Sequence, residues 1–406
     1  MNSATGERLG SLCETLGELF PHGTVEVQDL APGQDGWRLV PSRTNPRLAV
    51  PANVPAAAMW SAIRPCASDG LKHKARRYAL AAALRSPAGA RLMPAGITVG
   101  DDSGSITTHL ENIFNQPVCF GLMTGSARAN RKPVLGIFDR RGRELGFAKI
   151  GLSELAHELV ANEHRALLAL QSSSASALQV PQVISYDFFD SKPVLVMSAL
   201  RPNALQRPLP LPVGAVIGLL ACAPVEQRLL ADSTWFRGLL RDLEALAAVP
   251  AAGRLADMVR QLPRLLPEET LAFGAWHGDF GPWNMARTKS APMVWDWERY
   301  DTGQPVGNDL FHFAAHERLR EMGNMGAALR ALRNPELNAN VAGLQVQCGT
   351  RAPRHAIQAM LRLLYLATLA ARFLGDGHRH QVEATFALGR WYTDVMQELI
   401  KDTQWG

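Results

Sequence analysis

Cysteine is scarce in this chain and follows no pattern. There are five in 406 residues, Cys13, Cys66, Cys119, Cys222 and Cys348, and no two form a CxxC pair. An odd, scattered set argues against a disulfide framework and against a zinc site, and reads as free thiols in a reducing cytoplasm. Long blocks of one charge are also lacking. The 42 Lys and Arg against 37 Asp and Glu leave a formal charge of +5 and a pI near 9.1. That balance permits an anionic ligand and gives no reason to expect nucleic acid. The densest basic run, Lys72 to Arg77 (KHKARR), reads as a solvated helix face. Apolar runs stop short of a membrane span: Leu211–Pro224 is too short, and Ala356–Leu374 carries Arg362 and Arg372. Both read as core helices, so no membrane partner is expected. The polar start, with Glu7, Arg8 and Glu14, does not read as a signal peptide, and a cytoplasmic protein is expected. Repeats, low-complexity segments and coiled-coil heptads are absent too.

What is present is ample core material. Apolar residues make up 47% of the chain, enough for two or three domains at this length. Residues 1 to about 100 form an accessory region with α/β texture and no catalytic constellation. Gly36–Val40 and Arg47–Val50 flank a PSRTNP turn and predict a hairpin, followed by helices over Pro55–Ile63 and Leu71–Leu84. From Asp101 to about 200 the pattern turns to strands. Ser105 caps a helix with Ile106, Leu110, Ile113 and Phe114 on one face. Strands are expected at Val118–Thr124, Pro133–Phe138 and Leu145–Ile150, then a helix over Ser153–Leu170 and strands at Val180–Tyr186 and Pro193–Met197. Residues 201–406 read as mostly helical, with long amphipathic segments at His355–Phe373 and Gln381–Ile400. The fold class is therefore α+β, a small antiparallel β-rich lobe followed by a larger helical lobe.

The chemistry concentrates in Trp276–Glu298, WHGDFGPWNMARTKSAPMVWDWE. Asp279 and Asn284 lie on a loop broken by Gly278, Gly281 and Pro282, and Asp296 ends a short apolar strand. Two carboxylates and an amide of this kind suit Mg²⁺, which takes hard oxygen ligands and leaves room for phosphate oxygens. Lys149 sits in an otherwise apolar strand, where a lysine is costly unless paired. Glu163 follows fourteen residues later on a helix; Glu158 is the competing partner. A strand lysine held by a helix glutamate is the arrangement that aims the ammonium at ATP phosphates. A lysine that merely snorkels at a sheet edge is the other reading. Gly125 and Ser126, in the turn GSARANRK, offer amides to a phosphate, or form an ordinary surface turn.

The HGDxxxxN pattern from His277 to Asn284, followed by Val294-Trp295-Asp296-Trp297-Glu298, resembles the aminoglycoside phosphotransferase and choline kinase-like family. That family has a bilobal protein kinase-like fold, and the resemblance runs over about residues 101 to 400. It implies Asp279 as the catalytic carboxylate, Asn284 and Asp296 as Mg²⁺ ligands, and Lys149, held by Glu163, on the ATP phosphates. Gly125 and Ser126 would cover those phosphates, and Met197, Ser198 and Ala199 would form the adenine hinge. His277 would brace the loop, and Asp309 would support it. The expected activity is transfer of the γ-phosphate of ATP to a hydroxyl of a small molecule, with ATP and Mg²⁺ as cofactors. The chain departs from the family in its glycine-poor phosphate loop and its extra 100 N-terminal residues.

Two alternatives stay open. One is a non-catalytic kinase-like module with residues 1–100 as its protein-binding part. The other, a protein kinase, lacks support because Trp297-Glu298 stands where Phe-Gly is usual. Residues 201–406 carry 22 Lys and Arg against 20 Asp and Glu. This lobe shows no acidic bias of the kind a polycationic antibiotic acceptor calls for. Trp283, Trp297 and Glu298 are candidates for the acceptor pocket, with core packing the other reading of Trp297.

Overall fold

The computed structural model describes residues 3–63, 71–101, 103–123, 131–173, 177–202 and 210–401. They fall into two compact units, residues 1–168 with 180–207 and residues 169–179 with 208–406. The first is rich in antiparallel sheet and the second in helix, as expected of an α+β chain.

The first unit runs α1 (Ser3–Leu19), β1 (Val25–Asp29), β2 (Trp37–Val40), β3 (Leu48–Pro51), α2 (Pro55–Ile63), α3 (Leu71–Arg85), α4 (Pro87–Leu92) and β4 (Ala95–Val99). It continues with α5 (Ile106–Phe114), β5 (Val118–Met123), β6 (Val134–Asp139), β7 (Glu144–Ile150), α6 (Glu154–Ser172), β8 (Val183–Phe189) and β9 (Lys192–Met197). All nine strands form one sheet in the order β1-β4-β2-β3-β5-β6-β7-β9-β8. The strands of residues 1–100 thus continue the sheet of residues 101–200. The join is short: Leu48 pairs with Met123 and Ala49 with Leu122.

Strand alternation explains how the flanking helices attach. Leu39 and Ala49 point to one face, where they meet Leu12, Leu16, Leu19 and Phe20 of the N-terminal segment and Ile106 and Leu110 of α5. Val40 and Val50 point to the other, where they meet Ala58 and Ala62 of α2 and Ala81 and Leu84 of α3. On the Leu39 face the Trp37 indole adds a polar tie, donating to the Phe120 carbonyl at 2.8 Å. As read from sequence, Ser105 caps α5 through the Thr108 amide.

The second unit contains α7 (Val213–Leu220), β10 (Glu226–Leu229), α8 (Thr234–Glu244), α9 (Pro250–Gln261), β11 (Thr270–Trp276), β12 (Met285–Ala286), β13 (Met293–Val294) and β14 (Asp301–Pro305). Then come α10 (Asn308–Leu319), α11 (Met325–Leu332), α12 (Pro335–Gln347), α13 (Arg354–Arg379) and α14 (Glu383–Lys401). It is less uniformly helical than the sequence suggests, since β10, β11 and β14 form a three-stranded antiparallel sheet. β11 is nearly all buried, so its run LAFGAW lacks the alternation that marks a half-exposed strand. Gln345 reaches into this sheet from α12, accepting from the Ala272 amide at 2.8 Å and donating to the Ala272 and Val306 carbonyls.

Helix α13 runs on past Phe373 to Arg379, through two glycines. A Cβ on Gly377 would lie 2.5 Å from the Phe386 amide nitrogen, and one on Gly389 of α14 would lie 2.6 Å from that of Leu374. These glycines permit close helix contact and do not end the helix. α13 is also the one described helix long and apolar enough to cross a membrane, and 67% of its most apolar window is buried within the protein.

Candidate active site

The loop after β11 is held from three sides. Gly278 has φ of 82°, and a Cβ there would sit 2.3 Å from the Arg299 carbonyl, so only glycine fits. Asp309, in the first turn of α10, accepts the His277 amide at 2.9 Å and the Gly278 amide at 3.3 Å. Arg372 of α13 donates to the Gly278 carbonyl at 2.8 Å and stacks over the Trp276 ring. Burial raises the Asp309 carboxyl to about 7, against the pull of the two amides. Burial also lowers Arg372 to about 10.

His277 is fully buried. Its Nδ1 accepts the Asp279 amide at 3.2 Å, so the proton lies on Nε2, which donates to the Trp295 carbonyl at 3.0 Å. Burial depresses this imidazole to about 4, keeping it neutral. It ties the loop to the strand that leads to Asp296, and is therefore a brace with no proton to exchange near neutral pH.

Asp279 is the focus of the loop, and a third of its side chain is exposed (33%). Both carboxylate oxygens are engaged. Oδ2 accepts from the Asn284 amide at 2.9 Å and the Trp283 indole at 3.3 Å. Oδ1 meets Nε2 of His312 at 3.0 Å. Burial pushes the Asp279 carboxyl up, but the hydrogen bond from His312 pulls it down, and the group sits at about 2. It is a carboxylate at any physiological pH.

Asn284 and Asp296 come together through the small ribbon of β12 and β13. Met285 pairs with Val294 and Ala286 with Met293. The Trp295 amide then donates to the Asn284 carbonyl at 3.0 Å, so both candidate ligands emerge at the same end. Asp296 takes a left-handed backbone (φ 68°, ψ 56°) as the chain turns out of β13. The Asn284 amide turns Nδ2 toward Asp279, which leaves Oδ1 at the opposite end. One amide oxygen and one carboxylate are a donor set that suits Mg²⁺.

In the first unit, Lys149 lies in β7 between Val134 and Leu195 of the neighbouring strands. Its ammonium donates to both oxygens of Glu163, at 2.7 and 2.6 Å. Glu163 is fully buried, whereas Glu158 is exposed. Met197 ends β9, and Ser198 and Ala199 follow it. The Ser198 amide donates to the Gln182 carbonyl at 2.8 Å, and its hydroxyl accepts the Gln182 amide at 2.9 Å. That amide is therefore taken up by the backbone. Gly125 and Ser126 lie outside the described residues.

Residues 147–320 match the model of the phosphotransferase enzyme family. The matched segment takes in Lys149, Glu163, Asp279, Asn284 and Asp296. No curated protein sequence matches the chain. Similar solved structures include a thermostable mutant of the aminoglycoside phosphotransferase APH(4)-Ia, in ternary complex with ADP and hygromycin B. It is 13% identical, with a TM-score of 0.48 over 73% of this chain and 99% of that one. A fructosamine-3-kinase homologue from Haemophilus somnus 129PT is 12% identical, with a TM-score of 0.43 over 73% and 96%. A choline kinase from Cryptosporidium parvum Iowa II is 11% identical, with a TM-score of 0.42 over 70% and 90%.

Two of the pocket candidates behave differently, and two histidines escape the sequence motifs. Trp297 is fully buried and its indole donates to the Val294 carbonyl at 3.0 Å, so it is core and not pocket. Trp283 instead contacts the Asp279 carboxylate. His312 and His316 of α10 stack at 4.0 Å between ring centroids. The signal for them was the HxxxH spacing just after Asp309, which places both on one helix face.

Proposed function

We propose that this protein transfers the γ-phosphate of ATP to a hydroxyl of a small molecule in a Mg²⁺-dependent reaction in the cytoplasm. The observation that carries this reading is the Asp279 carboxylate, fixed at both oxygens yet partly exposed, inside a segment that matches the phosphotransferase family. Asp279 orients the acceptor hydroxyl and takes its proton. With a carboxyl near 2 it is a weak base, which suits phosphoryl transfer. Its loose transition state asks chiefly for positioning and charge neutralisation. Lys149, paired with Glu163, contacts the ATP phosphates. Asn284 and Asp296 hold Mg²⁺, which when bound would neutralise phosphate charge. Met197 to Ala199 form the adenine hinge, through groups other than the Ser198 amide. Gly125 and Ser126 cover the phosphates. The acceptor is a neutral or anionic hydroxylated metabolite, because the chain shows no acidic excess to draw a polycation.

The test is transfer of labelled phosphate from Mg-ATP, with GTP in parallel, to a panel of sugars, amino alcohols and other hydroxylated metabolites. Wild type labels at least one acceptor. Asp279→Ala abolishes labelling and retains nucleotide binding. No labelling by wild type, together with an Asp279→Ala protein that behaves like wild type in cells, would favour a non-catalytic binding module.

A further inference from the structure

The helix α10 sends one side chain directly to Asp279, and nothing in the motif accounts for it. Nε2 of His312 lies 3.0 Å from Oδ1 of Asp279, and the Tyr365 hydroxyl of α13 lies 3.3 Å from His312 Nδ1. A carboxylate has no proton to give, so Nε2 carries the hydrogen and donates it. Nδ1 is then bare and accepts from the Tyr365 hydroxyl. The result is a directed chain, Tyr365 O–H to His312 to Asp279. Both inner members are almost wholly enclosed, His312 at 2% exposure and Tyr365 at 0%. The imidazole is also clamped between rings, stacked on His316 and edge-on to Tyr365. His316 repeats the pattern, its Nδ1 lying 3.3 Å from the Tyr392 hydroxyl.

We infer that His312 is a positioning residue which fixes the rotamer of the Asp279 carboxylate, with Tyr365 fixing the tautomer of His312 in turn. This inference rests on the phosphotransfer reading given above. The other two donors to Asp279, from Asn284 and Trp283, share one oxygen and belong to the loop itself. Two donors on Oδ2 alone leave the plane of the carboxylate free to rock. A third, on Oδ1, from a helix that also holds the loop through Asp309, removes that freedom. Oδ1, with His312 as its one donor, still has a second acceptor position for the hydroxyl of the substrate. Burial keeps His312 depressed and neutral. It therefore orients Asp279 without cancelling the charge that the incoming hydroxyl proton needs. Orientation of this kind governs turnover more than ground-state binding.

The test uses Mg-ATP hydrolysis, with water as the acceptor, in the full chain. H312L is expected to lower kcat about 10- to 100-fold and to leave KM for ATP within about twofold. H312Q, whose amide restores a donor to Asp279, recovers most of the loss, and Y365F falls between them. Imidazole ¹⁵N spectra of histidine-labelled wild type show one Nε2–H tautomer that is perturbed in Y365F. If H312L does not fold, H312Q and Y365F carry the comparison. Wild-type kcat in H312L, or an Nδ1–H tautomer at His312, would overturn the inference and leave phosphotransfer standing. Wild type that neither hydrolyses ATP nor labels any acceptor would remove phosphotransfer, and the inference with it.

Discussion

The buried, neutral His277 makes the catalytic loop sensitive to acid in a way that can be worked out. Its ordinary value is 6.5 and its folded value is about 4. Between those two the unfolded chain binds the proton and the folded chain does not, so stability rises with pH across that window. The contribution is therefore complete above 6.5 and is lost as pH falls toward 4. At 1.36 kcal/mol per pKa unit the whole gap is about 3.4 kcal/mol. At pH 4.5 the unfolded histidine is almost fully protonated and the folded one about a quarter so, which gives a loss of about 2.4 kcal/mol relative to pH 7. Other groups titrate in the same range, His316 among them, so the measurement is a difference. Urea unfolding followed by tryptophan fluorescence at pH 7, 5.5 and 4.5 would be compared for wild type and His277→Gln. Gln keeps a donor for the Trp295 carbonyl but does not titrate. The variant starts less stable at pH 7 and shows a shallower decline. Parallel pH dependence in the two proteins would refute the assignment of a neutral, buried His277.

Asp309→Ala leaves the buried His277 and Gly278 amides without their acceptor. At about 1–3 kcal/mol for each orphaned group, unfolding free energy should drop by about 2–5 kcal/mol, and Asp309→Asn, which keeps one acceptor, should lose less; equal midpoints for wild type and Asp309→Ala would show that the loop amides find other partners. Glu163→Ala strips two hydrogen bonds from the buried Lys149 ammonium and should cost about 3 kcal/mol in urea unfolding. The apolar pair Lys149→Met with Glu163→Leu should recover most of that stability while abolishing phosphate transfer, and a double variant no more stable than the single one would contradict the burial argument.

The parts of the fold legible in sequence are those with a local cause. The β2–β3 hairpin follows from its turn residues, α5 from Ser105 and its i, i+4, i+7 face, and the β5–β6–β7 meander from short runs separated by turns. The three-stranded sheet of the second unit was hidden because β11 is covered on all sides and reads as an apolar run without period. α13 runs beyond its expected end because Gly375 and Gly377 look like stops until the approach of α14 is known. The site divides in the same way. Asp279, Asn284 and Asp296 lie within eighteen residues on one loop and ribbon, so spacing alone announces them. Lys149 and Glu163 could be paired because a strand and the next helix set their distance. His312 and Tyr365 come from helices whose positions depend on tertiary packing, and no spacing rule connects them to Asp279.

The nine-stranded sheet has a practical consequence for anyone trimming residues 1–100 from this protein. A cut near residue 101 would strip β3 from Leu122 and Met123 of β5 and leave β5 as an edge strand open to intermolecular pairing. The same cut would remove Leu12, Leu16, Leu19 and Phe20 from the core they share with Ile106 and Phe120. The stretch that matches the phosphotransferase family model, residues 147–320, and the stretch that can fold by itself are different lengths of chain.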